Sequence, residues 1–315
     1  MLPLIAHRLE AFESRIQAEL RSEVAFIEAI GGDLVGAGGK RLRPSISFLA
    51  GALVGADDEA SMRVALAVEL LHSASLLHDD LIDDADTRRG AKAAFRRYGN
   101  VVSVMSGDYM LARVLGILAQ LGSDAFTGRM SQTAARICEG EVLQFQMATL
   151  ETWDLPTYEA VIEGKTAVLL ATAAEGPALV SGADAATCAA LQAYGMAYGR
   201  AFQLRDDYLD LLGDEERLGK PVGGDLREGK VTLPVLGLIT GNVDEALAIV
   251  RRHAGDEGDV ERMIALVRQH GGDRQTQRAI ADEVARAQAA LAALPAGPAR
   301  DALMALPEAE LERIR

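Results

Sequence analysis

Apolar side chains recur at helical spacing along almost the whole chain. Near residues 4–30 the large apolar residues fall three, four or seven positions apart, at Leu9, Phe12, Ile16, Leu20 and Ile27. This spacing places them on one face of a helix. No stretch shows the strict alternation of a half-buried strand convincingly, so the pattern predicts helices throughout.

The same spacing predicts ten further helices, each bounded by glycine, proline or charged residues. They cover Pro44 to about Leu53 and about residues 61–84, 101–121, 124–150, 156–181, 184–213, 232–252, 258–271, 273–293 and 299–314. Between them we expect a glycine-rich break at 31–39 and a glycine-rich, charged loop at 214–230. That loop is either a plain solvated connection or a lid. With no repeat and no low-complexity linker, we predict one all-α domain over residues 1–315, a large helical bundle around a central cavity.

Two clusters of aspartates stand in this apolar pattern, and each has the form Asp-Asp-x-x-Asp. The first cluster contains Asp79, Asp80 and Asp83, and the second contains Asp206, Asp207 and Asp210, preceded by Gln203. Residues three and four apart share a helix face, so each cluster would project several carboxylates together. Two carboxylates about 6 Å apart repel by roughly 3 kcal/mol at an effective dielectric near 20. Either these faces are solvated acidic surfaces, or they hold a hard cation such as Mg²⁺ together with phosphate.

Composition and charge narrow the class of protein. The chain has 315 residues, of which 49% are hydrophobic and 25% charged, as in a soluble globular enzyme. The net charge of −14 argues against nucleic acid and against docking on anionic lipid. Two cysteines, Cys138 and Cys188, make no disulfide framework. We expect a cytoplasmic protein, because we see no signal peptide and no run of about 18 uninterrupted apolar residues.

Cations beside glycines form a second set of polar motifs. Lys40, Arg41 and Arg43 follow Gly38-Gly39, just before the predicted helix start at Pro44. Others stand at Arg88-Arg89-Gly90, at Gly164-Lys165-Thr166 and between Gly219-Lys220 and Gly229-Lys230. Arginine offers bidentate contacts to phosphate oxygens and lysine a point charge. Each motif alone is often a solvated basic loop, but together they indicate diphosphate binding.

These motifs stand in the order found in a known family. Gly-Gly-Lys-Arg-Leu-Arg-Pro, Leu-His-Asp-Asp-x-x-Asp with Arg-Arg-Gly, Gly-Lys-Thr, Gln-Leu-x-Asp-Asp-x-Leu-Asp and Gly-Lys-Pro-x-Gly-x-Asp-Leu-x-Glu-Gly-Lys follow one another along the chain. The sequence thus resembles the trans-isoprenyl diphosphate synthases (polyprenyl synthetase family). The resemblance covers most of the chain and is weakest in the first thirty and last seventy residues.

The resemblance implies a prenyltransferase that condenses isopentenyl diphosphate with an allylic diphosphate (dimethylallyl, geranyl, farnesyl or geranylgeranyl) head to tail, 1′ to 4. It implies Mg²⁺, for which Mn²⁺ can substitute, held by Asp79, Asp80 and Asp83 and, from the opposite wall, by Asp206, Asp207 and Asp210. It implies that isopentenyl diphosphate is gripped by Lys40, Arg43, His72 and Arg89. For the allylic substrate it implies contacts from Arg88, Lys165, Thr166, Gln203, Lys220 and Lys230. Departing pyrophosphate leaves an allylic carbocation, which the isopentenyl double bond attacks before a proton is lost. A homodimer is expected.

Other interpretations remain beside this one. Glu69 and His72 form a Glu-x-x-His pair as in di-iron bundles, but no other histidine has Glu three residues before it. His78 is either a ligand or, as we prefer, orients the aspartates by hydrogen bonding. A class I terpene cyclase would carry a different second metal motif and no isopentenyl site. A non-catalytic partner subunit would have lost one aspartate cluster.

Product length depends on the residues one turn before the first cluster. Ala74 and Ser75 lie five and four positions before Asp79, and Ala67 lies two turns deeper. In the family, bulky aromatics at the first two positions form a floor that stops chain growth. Small residues there predict a longer tunnel and a long-chain product of about C40, as in octaprenyl diphosphate synthases, for quinone side chains. Geranylgeranyl or farnesyl diphosphate is the alternative product.

Overall fold

The computed structural model of the chain describes residues 2–36, 41–83, 87–88, 91–219 and 221–314. For residues 2, 3, 35, 87, 88, 91 and 313 it describes the backbone only. Over these ranges the chain is helical almost throughout, which confirms the predicted all-α class. Seventeen α-helices are numbered here in chain order. The one ladder in the described part is a pair of two-residue antiparallel strands, β1 (Thr87–Arg88) and β2 (Ala91–Lys92), which the sequence analysis missed.

The helix bounds are as follows. The first nine helices are α1 (Leu2–Glu19), α2 (Ala25–Gly36), α3 (Leu42–Val54), α4 (Asp58–Ile82), α5 (Ala94–Tyr98), α6 (Asn100–Leu121), α7 (Asp124–Thr149), α8 (Leu155–Ile162) and α9 (Val168–Ser181), with a π-helical turn at Glu163–Ala167 between the last two. The remaining eight are α10 (Ala185–Leu212), α11 (Glu215–Leu218), α12 (Gly224–Arg227), α13 (Leu233–Thr240), α14 (Asp244–Arg251), α15 (Asp259–His270), α16 (Gly272–Leu291) and α17 (Pro298–Arg313).

Several predicted boundaries differ from these bounds. The break expected to begin at residue 31 is wrong for residues 31–36, because α2 continues through them and the chain breaks instead at residues 20–24. A Cβ on Gly31 would lie 3.0 Å from the Leu20 Cβ, so this glycine permits a close approach inside a helix. The helix predicted over 232–252 is two helices, α13 and α14, because Asn242 adopts a left-handed φ of 56°.

The chain divides into two compact units, each described here by itself. Unit 1 comprises Met1–Ala134, Thr172–Gln192 and Leu294–Leu303. In this unit α4 packs against α3 and α6. The α4–α6 contact is close, because a Cβ on Gly107 would lie 2.4 Å from His78 Nε2. Phe12 on α1 meets Phe48 on α3 edge to face, with ring centroids 6.2 Å apart.

Unit 2 comprises Ala135–Ala171, Ala193–Ala293 and Met304–Arg315. Its apolar core joins side chains from the second half of α7, from α8 and α10 and from α13 to α16. The Arg205 side chain is 1% exposed and pairs with Glu310 on α17. The predicted loop over 214–230 contains two single-turn helices, α11 and α12.

Two helices in the described part of the chain are long and apolar enough to cross a membrane, judged by length and composition alone. They are α4 and α6. Within the most apolar window of α4, 72% of the residues are buried inside the protein, and 39% are buried in that of α6. Core helices of soluble proteins pass the same test, so the observation is weak evidence for a membrane span.

Candidate active site

The first aspartate cluster stands at the carboxyl end of α4 in unit 1. The helix begins after Asp57, whose carboxylate accepts hydrogen bonds from the Glu59 and Ala60 amides, both at 3.0 Å. It ends at Ile82, and the Asp83 amide still donates to the Asp79 carbonyl at 2.8 Å. The predicted helical spacing of Asp79 and Asp83 is therefore confirmed. Both residues are half-buried, whereas Asp80 is completely buried.

The sequence analysis favoured a role for His78 in orienting the aspartates by hydrogen bonding, but the ring contacts α6. Its Nε2 lies 3.3 Å from the Val104 carbonyl oxygen and 3.5 Å from an Asp108 carboxylate oxygen, both on α6. The close approach at Gly107 brings this ring against α6. These contacts tie α4 to α6, and they give no support to a role in orienting the aspartates.

Arg41, Arg43 and His72 are the described cations of the first basic motif and its surroundings. Arg41 donates to both Glu13 oxygens, at 2.6 and 2.8 Å, and to Glu69 at 3.1 Å. It therefore connects α1 and α4. Its contact with Glu69 engages the glutamate that a di-iron site would need as a ligand. Arg43 near the start of α3 and His72 on α4 are half-buried. Lys40, Arg89 and Lys220 lie outside the described residues, and only the backbone of Arg88 is described.

The second aspartate cluster stands on α10 in unit 2, and its three carboxylates have different partners. Asp206 accepts from Arg205 Nε at 3.0 Å, and its side chain is 46% exposed. Asp207 is buried and accepts from Gln203 Nε2 at 2.8 Å, which confirms that these two residues share a helix face. Asp210 is also buried and accepts from the Asp225 amide at 2.9 Å, which anchors the start of α12.

Several of the predicted site residues line a cavity of about 190 Å³ inside unit 2. Its lining comprises Gln144, Met147, Ala148, Trp153, Tyr158, Val161, Ile162, Lys165, Gln203, Asp207, Asp225, Gly229, Lys230, Val231 and Thr232. Four of these, Lys165, Gln203, Asp207 and Lys230, were predicted as site residues. Thr166 joins them indirectly, because its hydroxyl donates to Gln203 Oε1 at 2.6 Å.

Lys165 is held on the π-helical turn against α7. Its Nζ donates to Glu141 Oε2 at 2.8 Å and to Gln144 Oε1 at 3.0 Å. Two glycines permit this approach, because a Cβ on Gly140 would lie 2.7 Å from the Lys165 amide nitrogen and one on Gly164 would lie 2.7 Å from a backbone oxygen of α7. The glycine of the Gly-Lys-Thr motif thus allows the backbones of the π-helical turn and α7 to approach, which places the lysine. Such π-helical turns often mark functional sites.

Sequence reasoning missed four polar residues of this site. Tyr158 donates its hydroxyl to Asp207 Oδ2 at 2.5 Å, Asp225 lies on the short helix α12, and Glu141 and Gln144 contact Lys165. The signal available for Asp225 was its place in the Gly-Lys-Pro motif between Lys220 and Lys230. The other three come from segments without a motif of their own.

Burial is the largest cause of the raised pKa values at Asp207 and Asp225. Burial raises the pKa of Asp207 to about 6, and the charges of Asp206 and Asp210 add to this, while hydrogen bonds from Tyr158 and Gln203 oppose it. Burial, followed by the charges of Asp207 and Asp210, raises the pKa of Asp225 well above its ordinary value, against the lowering effect of Lys230. Ionisation of Asp207 and Asp225 is therefore disfavoured where no positive charge compensates it.

Such an oxygen-only donor set fits a hard divalent cation. Among the described side chains, no three His, Cys, Asp or Glu residues already stand together as a metal-holding group. Asp206, the exposed member, is engaged by Arg205. Cation binding would therefore draw Asp206 away from this arginine, and it would relieve the repulsion at Asp207 and Asp210.

The raised pKa of Asp207 leads to a prediction for the metal-free protein. A carboxyl with a folded pKa of about 6 and an unfolded value of 3.8 destabilises the fold progressively as the pH rises through that window. The full penalty, about 3 kcal/mol, is reached above it. Asp207→Asn should therefore raise the free energy of unfolding at pH 8 and leave it near the wild-type value at pH 4. Denaturant unfolding in the presence of a chelator measures the difference. A mutational effect independent of pH would contradict the assignment.

Comparisons with known proteins agree with this geometry. The Polyprenyl synthetase family profile matches residues 24–267. The octaprenyl diphosphate synthase of Escherichia coli K12 is 36% identical over 315 residues, which cover 99% of this chain and 98% of that protein. The crystal structure of a polyprenyl synthase from Caulobacter crescentus CB15, complexed with calcium and isoprenyl diphosphate, superposes with a TM-score of 0.93 at 36% identity and covers 100% of this chain and 97% of that one.

A second solved structure gives the same result. A decaprenyl diphosphate synthase from Rhodobacter capsulatus superposes with a TM-score of 0.94 at 35% identity, and the match covers 100% of this chain and 98% of that one. Both similarities extend over essentially the whole of each chain. The chain therefore belongs to the polyprenyl synthetase family of prenyltransferases.

Proposed function

We propose that this protein is a Mg²⁺-dependent trans-polyprenyl diphosphate synthase, which condenses isopentenyl diphosphate 1′ to 4 with an allylic diphosphate in successive steps. The observation that carries the proposal is the unit 2 cavity, where Lys165 and Lys230 meet Gln203 and Asp207. Cations and carboxylates together are what a diphosphate with its metal requires. The test is consumption of allylic diphosphate in the presence and absence of isopentenyl diphosphate. Turnover of the allylic substrate alone would indicate a terpene cyclase instead.

The metal sites are assigned to the two aspartate clusters. Asp79, Asp80 and Asp83 would hold Mg²⁺ in unit 1, and Asp206, Asp207 and Asp210 would do so in unit 2, with Mn²⁺ as a substitute. The metal supplies charge stabilisation for the departing pyrophosphate. The proposal is supported by the half-buried Asp79 and Asp83 at a helix end and by the raised pKa values in the second cluster.

The substrate sites follow from the placement of the cations. Arg43 and His72 lie in unit 1 and are assigned to isopentenyl diphosphate, with Lys40 and Arg89. Lys165, Thr166, Gln203 and Lys230 lie in unit 2 and are assigned to the allylic substrate, with Arg88 and Lys220. Lys165 is fixed by Glu141 and Gln144, so its ammonium is oriented before a diphosphate arrives. Such pre-positioned charge lowers the barrier without reorganisation during the reaction.

This division of the cations predicts opposite kinetic effects. Arg43→Ala and His72→Ala should raise the KM for isopentenyl diphosphate about tenfold and change the KM for the allylic substrate little. Lys165→Ala should do the reverse. The reason is that each substitution removes one contact with a charged diphosphate, worth about 1.5–3 kcal/mol. Steady-state kinetics with each substrate varied in turn measures both constants. Arg251→Ala, which breaks an exposed ion pair with Glu151, is the matched control and should change neither. Equal changes in both constants from every variant would refute the division.

The proposed product is an all-trans chain of about C40 for quinone side chains. Octaprenyl and decaprenyl synthases among the similar proteins support a long chain. The small, half-buried side chain of Ser75 supports it as well. Geranylgeranyl or farnesyl diphosphate remains the alternative, and chromatography of the dephosphorylated products distinguishes these lengths.

The proposed assembly is a cytoplasmic homodimer. In unit 1, α6 exposes Val101, Met105 and Leu115, with Leu115 67% exposed. On α7 the side chains of Val142 and Phe145 are 64% and 71% exposed. Apolar side chains at helical spacing on a surface indicate a protein partner. Sedimentation should give the mass of two chains, and Leu115→Glu should shift it toward one; a wild-type monomer would contradict the assembly.

A further inference from the structure

We propose that Tyr158 is a positioning residue for the second aspartate cluster. In this role its hydroxyl holds the Asp207 carboxylate in place and so sets the affinity with which the cluster binds a divalent cation. The inference rests on the proposed metal role of this cluster. It concerns a residue that carries no sequence motif and that the functional assignment above does not use.

The contacts around Asp207 fix both of its carboxylate oxygens. Tyr158 donates to Oδ2 at 2.5 Å, and Gln203 Nε2 donates to Oδ1 at 2.8 Å. Asp207 and Tyr158 are only 4% exposed, so water does not replace either donor readily. Short hydrogen bonds to an ionised acceptor are the strong ones. The orientation of this carboxylate is therefore set by two protein groups.

The hydroxyl matters because the tyrosine ring has space on two sides. Tyr158 lines the 190 Å³ cavity and also a second cavity of about 160 Å³, which charged, polar and apolar residues of unit 2 form together. Its helix, α8, is anchored at its start, where the Asp154 carboxylate accepts from the Thr157 amide at 2.8 Å. The backbone is thus fixed, and hydrogen bonds with Asp207 and with the Leu233 backbone fix the outer end of the side chain. The Tyr158 and Asp207 side chains thus restrain each other.

The connection continues from Asp207 toward the substrate residues. Gln203 accepts at its Oε1 from the Thr166 hydroxyl at 2.6 Å, so a chain of hydrogen bonds runs from Tyr158 through Asp207 and Gln203 to the π-helical turn. Without the tyrosine hydroxyl, the Asp207 carboxylate keeps one of these two donors and can turn about its side-chain bonds. Groups that orient metal-site side chains in this way change metal affinity by about 10–100-fold.

The experiment compares wild type with Tyr158→Phe and with Tyr194→Phe, a matched control on α10 that is fully buried and outside the cavity lining. Mn²⁺ is titrated into the metal-free protein, and the signal of free Mn²⁺ in electron paramagnetic resonance gives the bound fraction. We expect Tyr158→Phe to weaken one class of Mn²⁺ sites about tenfold, and to raise the KM for the allylic substrate but not that for isopentenyl diphosphate. Tyr194→Phe should bind Mn²⁺ as wild type does.

The outcomes separate this inference from the function on which it rests. Wild-type Mn²⁺ binding by Tyr158→Phe, even with a lower melting temperature, would show a purely structural tyrosine and overturn the inference alone. A wild-type protein that binds no Mn²⁺ would overturn the proposed metal role as well. If Tyr158→Phe does not fold, Tyr158→Met, which also lacks the hydroxyl and has a side chain that adapts to irregular space, takes its place. Unchanged Mn²⁺ affinity in that variant would then overturn the inference.

Discussion

Replacing Asp79 or Asp83 by alanine is expected to lower kcat/KM by at least about a hundredfold and to leave the fold intact, because each substitution removes a proposed ligand of the metal that would stabilise departing pyrophosphate. Both side chains are half-buried at the very end of α4, where the helix has already ended or is about to end. Their loss therefore opens no core cavity, and the free energy of unfolding should change by less than about 1 kcal/mol.

A matched control for these variants lies at the other end of the same helix. Asp58 is 65% exposed and pairs with Arg8, so Asp58→Ala removes the same charge from α4 without touching the cluster and should retain activity. Excess chelator should abolish turnover in wild type, and Mg²⁺ or Mn²⁺ should restore it. Full activity in chelator, or wild-type turnover in Asp79→Ala, would refute the metal assignment.

Helical periodicity predicted the long helices of this fold well. The bounds of α6, α7 and α10 differ from the predicted ones by at most one residue at either end. Periodicity failed where one residue type serves two structural roles. Gly31 was interpreted as a helix breaker, but its missing Cβ lets α2 approach Leu20. Glycine in a helix costs about 1 kcal/mol relative to alanine, and the sequence alone does not reveal the neighbour that offsets this cost.

The candidate site was predictable where one segment supplies it. Gln203 and Asp207 are four apart on α10, and their hydrogen bond follows from helix geometry. Tyr158 lies 49 positions along the chain from its partner Asp207. Glu141 lies 24 positions from its partner Lys165. Such contacts depend on how helices pack, which local spacing does not encode. The partner of Asp210, the Asp225 amide 15 positions away, was unforeseen for the same reason.

Ser75→Phe is expected to shorten the main product from about C40 to the C15–C20 range without abolishing the first condensations. The position is four residues before Asp79 on α4, so its side chain lies on nearly the same face as this proposed metal ligand. Ser75 is half-buried, and its hydroxyl donates to the His72 carbonyl within its own helix at 2.9 Å. Among the described residues, no other element forms a hydrogen bond with that hydroxyl, and a phenyl ring in its place would project along the path proposed for the growing chain.

Ala74 provides the contrast that makes the product-length experiment decisive. It is 1% exposed, so Ala74→Phe forces a ring into packed protein and should destabilise the fold by about 1–3 kcal/mol, whereas Ser75→Phe should melt near the wild-type temperature. Product chromatography and thermal unfolding of both variants separate a tunnel wall from a packing contact. If Ser75→Phe makes wild-type products, or if its melting transition collapses like that of Ala74→Phe, this position does not line the tunnel. The small residues before the first aspartate cluster would then serve helix packing, and the floor that sets product length would have to come from another element.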